Sequence, residues 1–253
     1  MLKNKLSNNE FTLGSWITIE SPDVAEIMSG ANYDWLVVDL EHSVIEINGA
    51  GNLIRVIELS GVSPLVRITS NDANQIKRVM DAGAHGIIVP MVNNPEEAKL
   101  AVAATRYAPK GTRGVGLSRA QGYGTKFKEY LDWQTNSSVV IVQIEHIDAV
   151  ENLQKIIEVD GVDGFIVGPY DLSCSMGIPG QFENKDFLEK MEYILKIGKA
   201  NRFPTGVHIV EPDIRLLKKS IDDGYNFIAY SVDIRMLDVS SRSAFEVVKS
   251  VLK

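Results

Sequence analysis

Short, almost uninterrupted apolar runs alternate along the chain with longer segments in which apolar residues recur at helical spacing. The runs are Ser15–Ile19, Trp35–Asp39, Pro64–Ile68, Gly86–Pro90, Val139–Ile144, Gly164–Val167, Thr205–Ile209 and Phe227–Tyr230. They lack the in–out alternation of half-exposed strands, and strands buried on both faces of a parallel sheet read this way. Between them, Asp72–Asp81 follows Asn71 as a capping residue, and Pro95–Thr105 opens on proline after Asn94. Lys185–Ala200 follows Asn184 as a cap, while Pro212–Asp223 and Ala244–Lys253 complete the helical segments.

One building step recurs. Asp81-Ala82-Gly83, Val162-Asp163-Gly164 and Asp223-Gly224 each stand just before an apolar run. A glycine there can end a helix in the left-handed conformation and turn the chain into the next strand. Eight strands and their helices in this order predict an α/β fold, a (β/α)8 TIM barrel built as one domain over residues 1–253. An open doubly wound sheet is the alternative, because sequence does not reveal closure. Ala108–Gly124 breaks the rhythm and is expected to be a long loop, its glycines supplying flexibility.

Composition narrows the class. The 253 residues are 45% hydrophobic and 23% charged, with a formal net charge of −7. That is ordinary globular material, and no basic stripe suggests a nucleic-acid partner. Cys174 is the single cysteine, so no intrachain disulfide forms. Met1–Glu10 is polar and lacks the apolar core of a secretory signal, and no apolar run reaches the roughly 18 to 20 residues that span a membrane. These features together read as a cytoplasmic protein.

Barrel enzymes carry their chemistry at the C-terminal ends of the strands. Asp39, Glu41 and His42 follow the second strand, Arg67 ends the third, Gln143 and Glu145 end the fifth, and Asp171 follows the sixth. Glu145 and Asp171 come from adjacent strands, and carboxylate oxygens suit a hard divalent cation such as Mg2+ or Mn2+. Two solvent-facing strand ends are the other reading of the same acids. Gln143 and Glu145 are two residues apart and share a direction. Arg67 offers a planar fork for a carboxylate, or else forms a surface ion pair. Asp39 precedes His42 by three and could orient its imidazole as a base. His85, His146 and His208 read as structural.

Lysine is absent from the eight strands and from their C-terminal ends. A Schiff-base aldolase needs such a lysine, so the electron sink falls to a metal. Gly111-x-x-Gly114-x-Gly116 follows no buried strand, and no phosphate-cradling lysine motif occurs, so no nucleotide cofactor is implied. Cys174 has no activating base beside it and reads as inert packing.

The chain resembles the HpcH/HpaI aldolase family of class II, metal-dependent pyruvate aldolases. The resemblance rests on Tyr33-Asp-Trp-Leu-Val-Val-Asp39-Leu-Glu-His42, Val66-Arg67, Ile88-Val-Pro-Met91, Arg106-Tyr107, Gly111-Thr-Arg-Gly-Val-Gly116, Val142-Gln-Ile-Glu145 and Gly168-Pro-Tyr-Asp-Leu-Ser173, in that order. It implies that Glu145 and Asp171 hold a divalent cation (Mg2+, Mn2+ or Co2+), and that Gln143, Asp171 and the backbone at Tyr170 meet pyruvate. It further implies that Arg67 binds substrate and stabilises the enolate, that His42 is the acid–base residue, and that Asp81 raises its basicity. Asp81 stands at a helix end before a strand, on the wrong side of its own barrel, and would have to reach a neighbour's site. The resemblance implies a hexamer, a trimer of dimers.

The implied substrates are pyruvate and an aldehyde, joined or released as a 4-hydroxy-2-oxo acid. Tyr170 stands where some members carry a small residue, and Ser118–Gly124 departs from the family pattern where such loops shape the aldehyde end. A lyase for an acyl-CoA thioester of the citryl- or malyl-CoA kind is the nearest rival, disfavoured by the lack of a basic stretch for the CoA phosphates. A catalytically silent barrel that binds small acids is the rival from another class.

Overall fold

The structure, a computed structural model, describes residues 1–252. Eight parallel strands close into a barrel in chain order: β1 Thr12–Ile17, β2 Trp35–Asp39, β3 Ser63–Arg67, β4 Gly86–Val89, β5 Val139–Ile144, β6 Gly164–Val167, β7 Thr205–Ile209 and β8 Phe227–Val232. Closure by the β1–β8 pair excludes the open sheet.

Helices cover the outside: α1 Leu2–Ser7, α2 Pro22–Ser29, α3 Ile47–Leu59, α4 Ala73–Ala82, α5 Pro95–Thr105, α6 Phe127–Asn136, α7 Ile147–Glu151, α8 Leu153–Ile157, α9 Pro169–Ser175, α10 Lys185–Asn201, α11 Ile214–Asp223 and α12 Asp233–Val251. The segment expected over Ala244–Lys253 is the second half of α12, with Lys253 outside the described residues. No helix among them is long and apolar enough to cross a membrane.

Two apolar layers hold the barrel. Trp16, Trp35, Val37, Leu65, Ile88, Ile141, Ile166 and Phe227 point inward, and Leu2 and Leu6 of α1 join them. The alternate residues, such as Val38, Val66, Val140 and Val142, point outward into the helical layer. Continuous apolar strands therefore serve two cores at once, as their sequence pattern implies. Trp35 stacks on Phe227 with centroids 4.2 Å apart. A Cβ at Gly14 would overlap the Trp35 ring, so glycine there makes room for it.

Local signals hold with three corrections. Strand β1 starts three residues before the expected Ser15, because Gly14 belongs to the strand rather than breaking it. Helix α4 is capped by Asp72, whose carboxylate accepts from Asn74 N and Gln75 N, not by Asn71. Gly83 and Gly224 do end helices at φ +104° and +98°, whereas Gly164 begins β6 and the left-handed turn before it is Gly161. Asn94 and Asn184 cap α5 and α10 as expected.

The Ala108–Gly124 stretch is largely irregular, with one 3-10 turn at Arg119–Gln121. It joins α5 to α6 and packs at the N-terminal end of the barrel. Arg119 Nη1 donates to Ala82 O at 3.1 Å there and its guanidinium pairs with Glu58. Within one chain the loop is therefore remote from the mouth it was expected to shape. Gly111 is also not free: a Cβ there would overlap the Ala103 and Arg106 carbonyls.

Candidate active site

Side-chain parity decides which polar residues meet. On β2, Trp35 and Val37 point inward, so Asp39 does too; on β3, Leu65 is followed by Arg67, and on β5, Ile141 by Gln143. Each such residue is the last inward position of its strand. Trp16 on β1 and His208 on β7 complete the ring. The result is a cavity of about 280 Å³ at the C-terminal mouth, lined by Arg67, Gln143, Asp171, His42 and Tyr170 among others.

Arg67 is the fixed point. Its Nε donates to Asp39 Oδ1 at 2.8 Å and its Nη2 to Asp39 Oδ2 at 2.6 Å, a two-toothed pair across neighbouring strands. Its Nη1 lies 3.2 Å from Glu41 Oε2, and its guanidinium carbon stands 4.3 Å from the Trp16 ring centroid. Arg67 is 9% exposed and Asp39 is 1% exposed, so this is a buried pair and not the surface pair that sequence left open. Burial opposes the guanidinium charge, but Asp39, Glu41 and Glu145 outweigh it and hold the Arg67 pKa above its ordinary value.

Glu145 is buried just beyond β5. Its Oε1 accepts from Met91 N at 2.7 Å and its Oε2 from Gln143 Nε2. Met91 delivers that N–H from φ +52°, a left-handed backbone unusual for a non-glycine residue. Burial raises the Glu145 pKa against those two donors, and Glu41 and Asp171 push the same way. Asp171 is exposed, in the first turn of α9.

These groups suit a divalent cation. Glu145 and Asp171 supply two carboxylates whose mutual repulsion a cation would relieve, and Gln143 Oε1 is buried with no hydrogen-bond partner. Among the described residues no three His, Cys, Asp or Glu side chains are placed to hold a metal by themselves. Two carboxylates with substrate and water oxygens are the usual environment of Mg2+.

Other sequence expectations are redistributed. Asp39 does not orient the His42 imidazole: its Oδ1 accepts from the backbone N–H groups of Glu41 and His42, and its fork belongs to Arg67. The acid nearest the exposed imidazole is Glu41, with Oε2 3.8 Å from His42 Nε2. Asp81 is not brought to this mouth. It lies at the opposite end, with Oδ1 2.5 Å from Nη2 of the buried Arg113, which also donates to Tyr130 Oη at 2.8 Å. Cys174 is exposed rather than packed.

Two residues to which sequence reasoning gives no role join the site. Glu41 is half-buried, and burial, with Asp39 and Asp171 adding repulsion against the pull of Arg67, lifts its carboxyl to about 7. His208 sits 5.3 Å from Trp16, ring to ring, and its Nε2 is 3.2 Å from Ser231 O. Burial holds it neutral, its pKa lowered to about 4. Ser231 presents that carbonyl from φ +55°, where the β1–β8 register shifts between Gly14 and Trp16. The parity of β7 is the available signal, since His208 is two residues beyond inward-facing Gly206.

The family model for HpcH/HpaI aldolase/citrate lyase matches residues 12–238. The chain is 38% identical over 236 residues to a hydroxypyruvate/pyruvate aldolase of Sagittula stellata, covering 93% of this chain and 92% of that protein. It is 37% identical over 238 residues to a 4-hydroxy-2-oxo-heptane-1,7-dioate aldolase of Salmonella paratyphi C, covering 93% and 89%. A crystal structure of a family protein from Burkholderia cenocepacia J2315 superposes with a TM-score of 0.92 at 31% identity, covering 98% of each chain.

Proposed function

The chain belongs to the HpcH/HpaI aldolase/citrate lyase family, and we propose that it is a class II pyruvate aldolase, a carbon–carbon lyase that cleaves a 4-hydroxy-2-oxo acid to pyruvate and an aldehyde, and makes it in reverse. The observation that carries this reading is the convergence of a buried, forked arginine with two carboxylates and a buried amide on one mouth.

Glu145 and Asp171 are the residues that would hold a divalent cation (Mg2+, Mn2+ or Co2+), which supplies Lewis acidity beside the keto acid when bound. Gln143, Asp171 and the backbone at Tyr170 orient the pyruvate portion. In cleavage the bond between C3 and C4 breaks, the C4 hydroxyl proton leaves to a base, and the electron pair passes to the pyruvate portion as an enolate. Arg67 donates to the oxygen on which that charge develops. His42 takes the hydroxyl proton, and a proton returned to C3 completes pyruvate.

Assembly belongs to the same reading. Helix α12 buries only Asp233 of its own residues, while Leu237 and Phe245 remain 59% and 60% exposed. A helix so apolar and so bare supports a homo-oligomer, a hexamer by family resemblance. In it Asp81 of one subunit would serve His42 of another.

The test is metal withdrawal. Protein stripped with a chelator loses pyruvate release from a 4-hydroxy-2-oxo acid, read with a coupled lactate dehydrogenase, and Mg2+, Mn2+ or Co2+ restores it. Full activity in metal-free protein refutes the reading.

A further inference from the structure

One wall of the mouth has no task in the cleavage. Arg67 comes from β3, Gln143 and Glu145 from the end of β5, and Asp171 with the Tyr170 backbone from beyond β6. The ring is completed by His208 on β7 and Trp16 on β1, whose rings lie 5.3 Å apart and line the same cavity. Their neighbours belong to the inside of the same barrel: Arg67 lies over the Trp16 ring, and Ser231 of β8 meets His208.

The protonation pattern of the His208 ring is set by that neighbour. A carbonyl only accepts, so Nε2, 3.2 Å from Ser231 O, carries the hydrogen. Burial keeps the ring neutral, with its pKa lowered to about 4. A neutral imidazole has a single N–H, which leaves Nδ1 a bare lone pair. No donor among the described residues reaches it, and the ring is part-exposed on the cavity that it lines. On the adjoining ring, Trp16 Nε1 is a buried donor with no acceptor. A hydroxyl both donates and accepts, and so matches this wall where a methyl group does not.

The planar C2 of a keto acid decides which atom reaches the wall. Its three bonds run to the keto oxygen, the carboxylate and C3. With the oxygen toward Arg67 on β3 and the carboxylate toward the Tyr170 backbone after β6, C3 faces the remaining arc of the barrel, from β7 through β8 to β1.

Resting on the aldolase reading above, we propose that His208 selects the keto-acid half of the substrate, its Nδ1 accepting a hydrogen bond from a hydroxyl on C3. A donor with a 3-hydroxyl is then taken in preference to one with a methyl group in its place. Pyruvate, which has no substituent there, still fits but leaves the acceptor unanswered.

The experiment compares hydroxypyruvate with 2-oxobutanoate, which differ by a hydroxyl in place of a methyl, each added to acetaldehyde by the holoenzyme with products identified by mass. Hydroxypyruvate is expected to show the higher kcat/KM by about tenfold, the scale of one buried hydrogen bond made or left unmade. His208→Leu removes the acceptor and keeps an apolar side chain, and should bring that ratio down by about the same factor. His208→Asn keeps an oxygen acceptor near the place of Nδ1 and should hold a ratio above that of His208→Leu. Each ratio is taken within one preparation, so a smaller folded fraction cancels, and the intrinsic reactivities of the two acids do not change between variants. Equal or better use of 2-oxobutanoate by the unmodified protein overturns the inference. An unchanged ratio in His208→Leu, or His208→Asn no better than His208→Leu, overturns the hydrogen bond to Nδ1. Solvent deuterium exchange into the pyruvate methyl group, run without aldehyde, separates the two levels. No exchange overturns the aldolase reading and this inference together; exchange with a 2-oxobutanoate preference overturns the inference alone.

Discussion

Replacing Asp39 by asparagine probes the pair that fixes Arg67. The carboxylate presents two acceptors to Nε and Nη2 at 2.8 and 2.6 Å. An amide keeps one acceptor and turns an N–H2 toward a guanidinium that can only donate. Losing one partner of a buried ion pair costs about 3 to 5 kcal/mol. Glu41 remains 3.2 Å from Nη1 and offsets part of that, so Asp39→Asn is expected to lose roughly 2 to 4 kcal/mol. Urea unfolding followed by tryptophan fluorescence, at matched protein concentration, measures it. Arg67→Met strands the buried Asp39 charge in its turn, whereas Asp39→Asn with Arg67→Met removes both charges. The double variant should therefore be more stable than the sum of the two losses by about 2 kcal/mol or more. Turnover in the single Asp39→Asn variant falls by about 100-fold, because an unforked guanidinium no longer holds its place over the substrate. A single variant within about 0.5 kcal/mol of the parent, or additive losses in the double, would refute the pair as the device that positions Arg67.

Gly168→Ala puts a methyl group 2.9 Å from Glu145 Oε2 and 3.2 Å from Gln143 Nε2; pyruvate release should drop by about 10- to 100-fold while the urea midpoint barely moves. His208 tests the pH dependence of stability. Its pKa is about 4 when folded against an ordinary 6.5, so the unfolded chain binds the proton first. The contribution of the neutral ring is complete above pH 6.5, declines as pH falls toward 4, and is flat below. His208→Phe should flatten that part of the stability profile, and an unchanged slope rejects the assignment. On α12, Leu237→Asp with Phe245→Asp should lower the mass seen by light scattering; an unaltered mass shows that this face is not buried between subunits.

Much of this is legible in the sequence because a barrel strand has two constraints, parity and end. Arg67, Gln143, Glu145 and Asp171 are found at strand ends, Arg67 and Gln143 as the last inward positions of β3 and β5, Glu145 and Asp171 just beyond β5 and β6. What sequence misjudges is the choice between partners. Asp39 precedes His42 by three residues, yet its side chain points inward to Arg67, while the exposed His42 imidazole at the same mouth has Glu41 as its neighbouring acid. Adjacency in sequence carries the wrong pairing because the strand ends between them. Glu41 is visible but has no partner until β3 comes beside β2. His208 has no telling neighbour in sequence; its partner, Ser231 O, is on the next strand at a register shift that no local pattern announces. Topology alone places Asp81 at the far end, and its bond to Arg113 explains why an acid is kept there within one chain.

The base of α12 is tied to the rim of the mouth. Asp233 Oδ2 accepts from Thr18 N at 2.9 Å and Ile19 N at 2.8 Å, and Oδ1 from Thr18 Oγ1 at 2.7 Å. These residues follow Trp16, whose ring lies against Arg67. The bare helix is thus a lever bolted at one end to the segment that shelves Trp16. If the homo-oligomer proposed above forms along α12, its contacts end on the same anchor that holds the segment after Trp16, and specific activity is then expected to fall on dilution.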